Sequence, residues 1–271
     1  MSYNQLVLLP AWVVEPPQLK KLDVGFNKLT RMPEALGACS ELQTFDARGN
    51  LLESLPAFGQ LSRLSNLDVS DNRLSALPEG IGDLPELTSL RASNNNLTSI
   101  PALTGPGLRR LGELFLSKNL LVDLPRLDLP KLERLYVSNN RLASVSIEGL
   151  PMVRFIDASY NRLVDLPADI GNVRRLESLD VSHNRITALP SSIGGLQKMD
   201  SLTASHNELV DLPSSIGDLP LLVSLDVSHN RIATLPSSIG GLKKVGYIDA
   251  SDNHLEDLPN SPSETSERCK R

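Results

Sequence analysis

The chain has 271 residues, a formal net charge of −5, 22% charged residues and only 4% aromatic ones. Its acidic balance, with a pI near 5.5, argues against a phosphate-binding surface for nucleic acid. No run approaches the roughly 20 apolar residues that span a bilayer: the longest candidate, Leu6 to Val14, is broken by Pro10, and the start lacks the basic n-region of a signal segment.

Residues 1–18 read as a truncated repeat and cap. Asn4, Leu6, Leu9 and Pro10 match the second half of a unit that recurs throughout the chain, and Asn4 lies 23 residues before Asn27. Trp12, in Trp12-Val13-Val14-Glu15-Pro16-Pro17, stands where later repeats turn through Ile-Gly. A terminal repeat must hide its apolar face or join it to something, so Trp12 either covers the open end of the stack or contacts a partner.

Residues 19–259 read as eleven repeats, each marked by one asparagine: Asn27, Asn50, Asn72, Asn95, Asn119, Asn140, Asn161, Asn184, Asn207, Asn230 and Asn253. Their spacings are 23, 22, 23, 24, 21, 21, 23, 23, 23 and 23 residues. A fixed period of this size marks a stack of like supersecondary units, not a domain with one central core. Around each asparagine the pattern is L-x-x-L-x-L-x-x-N-x-L-x-x-L-P, as in Leu64, Leu67, Val69, Asn72, Leu74, Leu77 and Pro78. The L-x-L segment alternates like a short strand with one buried face, so one strand per coil can stack into a parallel sheet. A buried amide without partners costs roughly 1–3 kcal/mol. The asparagine column is therefore expected to bond backbone above and below it.

Most repeats continue after Leu-Pro with a second unit, as in Ser191-Ser192-Ile193-Gly194-Gly195-Leu196. It predicts a short helix or 3₁₀ turn on the convex side, with the serines as caps and Ile and Leu turned inward. Cys39 takes the place of that Leu and should be a small buried apolar residue. Repeats five to seven depart from this. Their connections are Leu103-Thr104-Gly105-Pro106-Gly107, Arg126-Leu127-Asp128-Leu129-Pro130 and Ile147-Glu148-Gly149-Leu150-Pro151, and a change of curvature is expected there. Residues 260–271 have no apolar periodicity and read as a disordered tail. It carries Ser261-Pro262, a candidate phosphate acceptor, and Cys269, which is not four from the terminus as prenylation requires.

On these residues the chain resembles the leucine-rich repeat family, over essentially residues 1–259. Its consensus L-x-x-L-D-V-S-x-N-x-L-x-x-L-P-x-x-I-G-x-L is most similar to intracellular members of the Shoc-like and plant Ras-group type, while the short connections of repeats five to seven resemble those of bacterial effector members. The resemblance implies an α/β solenoid: a horseshoe with a parallel β-sheet on its concave face and short helices, 3₁₀ turns or extended segments on its convex face. Eleven coils at about 4.8 Å would give a strand ladder roughly 50 Å long. Extracellular members carry cysteine-rich caps. With only two cysteines here, a reducing cytoplasmic setting is expected, with a nuclear one also open, and the sequon Asn96-Leu97-Thr98 would be irrelevant.

Function must come from outward positions, because the repeated residues only build the coil. His183, His206 and His229 occupy one column just before the ladder asparagine. Spread over two strand spacings, about 9–10 Å, they are too far apart for one zinc; they read as a rim column whose protonation below about pH 6.5 could tune a partner's affinity. Asp23, Asp46, Asp68, Asp157, Asp180, Asp226 and Asp249 form an outward row with no positioned His or nucleophile. That row reads as a mildly acidic strip, not as catalytic carboxylates. In repeats four to seven it is interrupted by Arg91, Phe115 and Tyr136; the neighbouring column supplies Glu113, Arg134 and Phe155, and the column before the asparagine Lys118 and Tyr160. Tyr and Arg are enriched at interface hot spots, so these eight residues form the predicted partner-binding patch; the competing reading is that they cover locally thinned coils.

No cofactor, metal or catalytic residue is expected. The first functional reading is a non-catalytic protein-protein interaction scaffold, binding a protein partner and no nucleic acid, without membrane insertion. By resemblance the partner belongs to small-GTPase, kinase or phosphatase signalling, although Met152-Val153-Arg154-Phe155 lacks the basic residue of a phosphatase docking motif. The alternative is a structural subunit of a larger cytoskeletal or ciliary assembly that docks through its C-terminal coil. A third, the targeting half of a ubiquitin ligase, fails because no length remains for a catalytic domain.

Overall fold

The structure, a computed structural model, describes residues 1–16, 18–78, 80–103 and 106–259. The expected tail, residues 260–271 with Ser261-Pro262 and Cys269, lies outside the described residues. The chain divides into two compact units: unit 1 is Met1–Arg141 with Glu148–Pro151, and unit 2 is Leu142–Ile147 with Met152–Arg271. The division falls at the last of the three unusual connections.

Unit 1 holds six three-residue strands: β1 (Lys21–Asp23), β2 (Thr44–Asp46), β3 (Asn66–Asp68), β4 (Ser89–Arg91), β5 (Glu113–Phe115) and β6 (Arg134–Tyr136). They pair in sequence order, parallel and in register, from Lys21 against Thr44 to Phe115 against Tyr136. Unit 2 holds β7 (Phe155–Asp157), β8 (Ser178–Asp180), β9 (Ser201–Thr203), β10 (Ser224–Asp226) and β11 (Tyr247–Asp249), paired in the same way. With three residues per strand, the central side chain turns inward, and in β4 Ser89 beside it is buried as well. Leu22, Phe45, Leu67, Leu90, Leu114 and Leu135 are buried in unit 1, and Ile156, Leu179, Leu202 and Leu225 in unit 2, whereas Ile248 of β11 is 41% exposed.

Each strand ends because the next turn reverses the sign of φ. The residue before the ladder asparagine is left-handed: φ is +53° at Phe26, +66° at Gly49, +55° at Asp71, +57° at Lys118 and +54° at His183. Only glycine takes this region freely, so the other side chains are held there by bonding between coils. The N–H of Asp71 donates to Ser93 O at 2.9 Å, and that of Asn72 to Asn94 O at 3.1 Å.

The ladder asparagines are buried, from Asn27 to Asn230. Asn95 donates from Nδ2 to Val69 O at 3.0 Å and Ala92 O at 3.2 Å, and its Oδ1 accepts the N–H of Leu74 at 2.9 Å. Asn207 repeats the pattern in unit 2 with Val181 O, Ala204 O and the N–H of Ile186. The expected partners on both sides are thus corrected. The side chain reaches its own turn and the preceding coil, because the amide lies at the start of the turn and points back along the stack.

Opposite the strands lie 3₁₀ turns and extended segments; no α-helix occurs among the described residues. Unit 1 has 3₁₀ turns at Ala11–Val13, Glu34–Ala38, Ile81–Asp83 and Pro106–Leu108. Those of unit 2 are Ile170–Asn172, Ser191–Gly195, Ser214–Asp218 and Ser237–Gly241. The serines do not cap them. Pro190, Pro213 and Pro236 hold the N-cap position without a side-chain bond, and the serines follow inside the turn. Proline already supplies the extended backbone of a cap and needs no N–H.

The core of each unit takes residues from the strands and from the turns opposite them, with Leu36 and Ile81 buried in unit 1 and Ile170, Ile193 and Ile216 in unit 2. Phe58 fills the second coil, which has no Ile-Gly turn, and Cys39 is buried as expected. Trp12 is 65% exposed, so it is Leu9, Val13 and Val14 that bury apolar area in the first coil.

Candidate partner-binding site

Six of the eight predicted residues lie in unit 1. The parallel register turns every outward position into a row across the strands, and one row of unit 1 reads Asp23, Asp46, Asp68, Arg91, Phe115, Tyr136. Beside it runs Lys21, Thr44, Asn66, Ser89, Glu113, Arg134.

Phe115 and Tyr136 stack with ring centroids 4.8 Å apart and planes 9° from parallel. Both are half-buried. The Arg91 guanidinium sits 4.4 Å from the Phe115 centroid, within cation–π range. Arg91 Nη2 also reaches Glu113 Oε2 at 3.0 Å, Arg134 Nη1 reaches Glu113 Oε1 at 3.2 Å, and Ser89 Oγ donates to Glu113 Oε2 at 3.2 Å. Glu113 therefore gathers two arginines and fixes where they lie against the rings. Half-exposed ion pairs add only about 0–1 kcal/mol to stability; their effect here is to hold the arginines in one arrangement beside the rings.

Lys118, the sixth residue, stands exposed in the left-handed column. Its charge acts on Asp71. Burial works to raise that carboxyl, but hydrogen bonds from Asn94 (2.8 Å) and Arg48 (2.7 Å), with the charges of Arg48 and Lys118, outweigh it and hold Asp71 below its ordinary range.

Phe155 and Tyr160 lie in unit 2. The Arg154 guanidinium is 5.4 Å from the Phe155 centroid, and Arg154 is itself paired with Glu177 at 2.8 Å. Tyr160 heads a stack with His183, His206 and His229, each ring centroid 4.0 Å from the next and the planes 11–13° from parallel. His229 Nε2 lies 3.3 Å from Asp252 Oδ2. Burial lowers the His183 pKa, with His206 and His229 adding to the effect and Asp180 opposing it.

Three features were not foreseen from the sequence. The first is an open depression of about 260 Å³ in unit 1, lined by Asp46, Asn66, Asp68, Ser89, Arg91 and Glu113 among others. The second is a stack of Tyr3 on Phe26 at 4.6 Å, with Arg48 at 5.4 Å from the Phe26 centroid; the one signal for it is Gly49, whose missing side chain leaves room for the ring. The third concerns the aspartates. Oδ1 of Asp157, Asp180, Asp226 and Asp249 accepts both the N–H and the hydroxyl of the serine two residues on, as at Asp180 with Ser182 (2.9 and 2.7 Å). One oxygen of each of these carboxylates thus helps to shape the turn.

Short parallel strands, one per coil, a backward-bonding asparagine column and 3₁₀ turns opposite the sheet define a leucine-rich repeat solenoid in each unit. The profile described as "Leucine rich repeat" matches residues 17–74 and 85–142, and a second with the same description matches residues 175–196 and 221–242. A leucine-rich repeat protein of Leptospira interrogans is 30% identical with a TM-score of 0.75, over 97% of this chain and 72% of that one. The leucine-rich effector YopM of Yersinia pestis is 33% identical with a TM-score of 0.70, over 91% of this chain and 64% of that one. Toll of Drosophila, solved in complex with Spätzle, is 25% identical with a TM-score of 0.76, over 94% of this chain and 35% of that one. Among curated proteins none matches. The chain belongs to the leucine-rich repeat family, and it spans just under two thirds of YopM and about a third of Toll.

Proposed function

We propose that this chain is a non-catalytic protein-protein interaction scaffold whose strand face grips a protein partner at Phe115 and Tyr136, framed by Arg91, Glu113, Arg134 and Lys118. The family and its solved neighbours support the scaffold role. The observation that carries the site is the stacked, half-buried ring pair, ordered by an arginine-carboxylate clasp, on a face open to solvent. Rings held in one geometry lose little entropy when a partner covers them. Phe155 and Tyr160 are contacts of the same kind in unit 2. The setting proposed is cytoplasmic or nuclear, and the partner a component of small-GTPase, kinase or phosphatase signalling, as for the Shoc-like members that the consensus resembles.

A second reading, docking through the last coil in a larger assembly, is favoured by the exposure of Tyr247 (53%) and Ile248 (41%). Affinity purification separates the two. Wild type is compared with Phe115→Ala/Tyr136→Ala, with Phe155→Ala/Tyr160→Ala and with Leu255→Glu, each first shown to melt cooperatively. Loss of partners in the first two variants, with Leu255→Glu unchanged, is the expected result. Loss with Leu255→Glu alone overturns it in favour of the second reading, and unchanged partners throughout remove both sites.

A further inference from the structure

The row that carries Phe115 and Tyr136 has an acidic half. Asp46 and Asp68 sit in register on adjacent strands, about 4.8 Å apart in strand spacing. Each uses Oδ1 in its own turn, accepting the N–H of Arg48 and of Ser70, both at 3.0 Å. The other oxygen of each has no cation within ion-pair distance among the described residues. Arg48, whose charge reaches both carboxylates, is held at Asp71 Oδ2 at 2.7 Å, and Arg91 is held at Glu113. Burial raises the Asp46 carboxyl, with Asp68 and Asp23 pushing the same way.

Toward Phe115, Arg91 and Arg134 share the single carboxylate of Glu113, which leaves that end of the face net positive. The row thus offers two carboxylates without a direct ion pair, both lining the open depression, and then a stacked apolar pair. Asp68 lies two strands from Phe115 and Asp46 three, about 10 and 14 Å. An extended chain advances about 3.3 Å per residue, which makes those distances three and four residues.

We infer that the unit 1 strand face takes an extended peptide segment of its partner, running across the strands. One or two Lys or Arg side chains of that segment meet Asp46 and Asp68, and an aromatic or aliphatic side chain three to four residues away lies on Phe115 and Tyr136. The inference rests on the scaffold reading above and gives its partner a chemistry: a basic segment with an apolar anchor, because opposite charge across an interface sets register and excludes wrong partners.

Random peptides displayed on phage and selected on the full chain test it. The enriched set should pair Lys or Arg with an apolar residue at that spacing, in either chain direction. Asp46→Asn/Asp68→Asn, which keeps the Oδ1 acceptors, should weaken a selected peptide about tenfold and flatten its salt dependence. Phe115→Ala/Tyr136→Ala should abolish binding. Peptides without basic residues, acidic peptides, or unchanged binding to the asparagine variant overturn this inference and leave the scaffold site standing. Peptides that bind the alanine variant as well as wild type, or no enrichment over it, overturn both.

Discussion

Asn95 condenses the residue-scale logic of the chain. One side chain shares two carbonyls with its neighbours in the column, Val69 O with Asn72 and Ala92 O with Asn119, and is the acceptor for the buried N–H of Leu74. Leaving that N–H without a partner costs roughly 1–3 kcal/mol, so Asn95→Ala should lower unfolding free energy by about that much in urea melts. Asn253 makes equivalent bonds in a partly buried setting, where water can replace them. Its alanine variant should cost well under half as much, and equal losses would remove burial as the cause. Gly49 makes a second case. At φ +66° an added Cβ would lie 2.8 Å from the Phe26 ring, so Gly49→Ala should destabilise by about 1–2 kcal/mol. The asparagines were legible in the sequence because the amide recurs. The left-handed column beside them was not: it tolerates Phe, Asp, Lys, Tyr and His alike, so no residue type announces the sign of φ.

At the scale of elements, neighbouring coils approach closely where glycine recurs. A Cβ on Gly217 would stand 2.1 Å from Ser238 O, while one on Gly59 would meet nothing within 4 Å. Gly217→Ala should therefore cost about 1–3 kcal/mol by overpacking and Gly59→Ala close to nothing, read from thermal melts of both. The histidine stack of unit 2 gives a pH prediction. The His183 pKa is lowered by burial and by its stacked neighbours. The folded state therefore takes up this proton less readily than the unfolded chain. Stability is full above the ordinary imidazole range near 6.5 and falls as the pH drops from there through the folded value. His206→Asn should move the His183 midpoint upward in a histidine NMR titration, and an unmoved midpoint would show that the rings do not sense one another. Strand positions were readable from L-x-L, since burying one side chain of three imposes that spacing. The serines were misread because Ser-Ser after proline resembles a cap, although the proline itself supplies the cap geometry. The contacts of the predicted patch were only half legible: register put Arg91, Phe115 and Tyr136 in one row, but Glu113 as the point on which two arginines meet is a matter of side-chain reach.

For the whole molecule, stability should follow neighbourhood. In unit 1 each strand pairs only with the strands next to it in sequence, so cavities made far apart share no partners. Leu22→Ala and Leu114→Ala, each expected to cost about 2–5 kcal/mol, should add to within about 0.5 kcal/mol in a double-mutant cycle. Leu90→Ala with Leu114→Ala, on adjacent strands, should depart from additivity by more. Equal coupling in both pairs would mean that the unit melts around a common centre. The period of 21 to 24 residues made this linear organisation readable, whereas the division into two units near residues 142–151 showed in the sequence only as a run of atypical connections.

The asparagine column has a direction. Within each unit every side chain fastens its own coil to the one before it, and the N–H two residues beyond it is paired by the coil that comes next. A ribosome delivers coils in that same order. Each newly emerged coil carries the means to secure itself to what is already folded, while its own loose end waits for the segment still being made. The chain can be completed as it is synthesised, in the way a zip closes behind its slider.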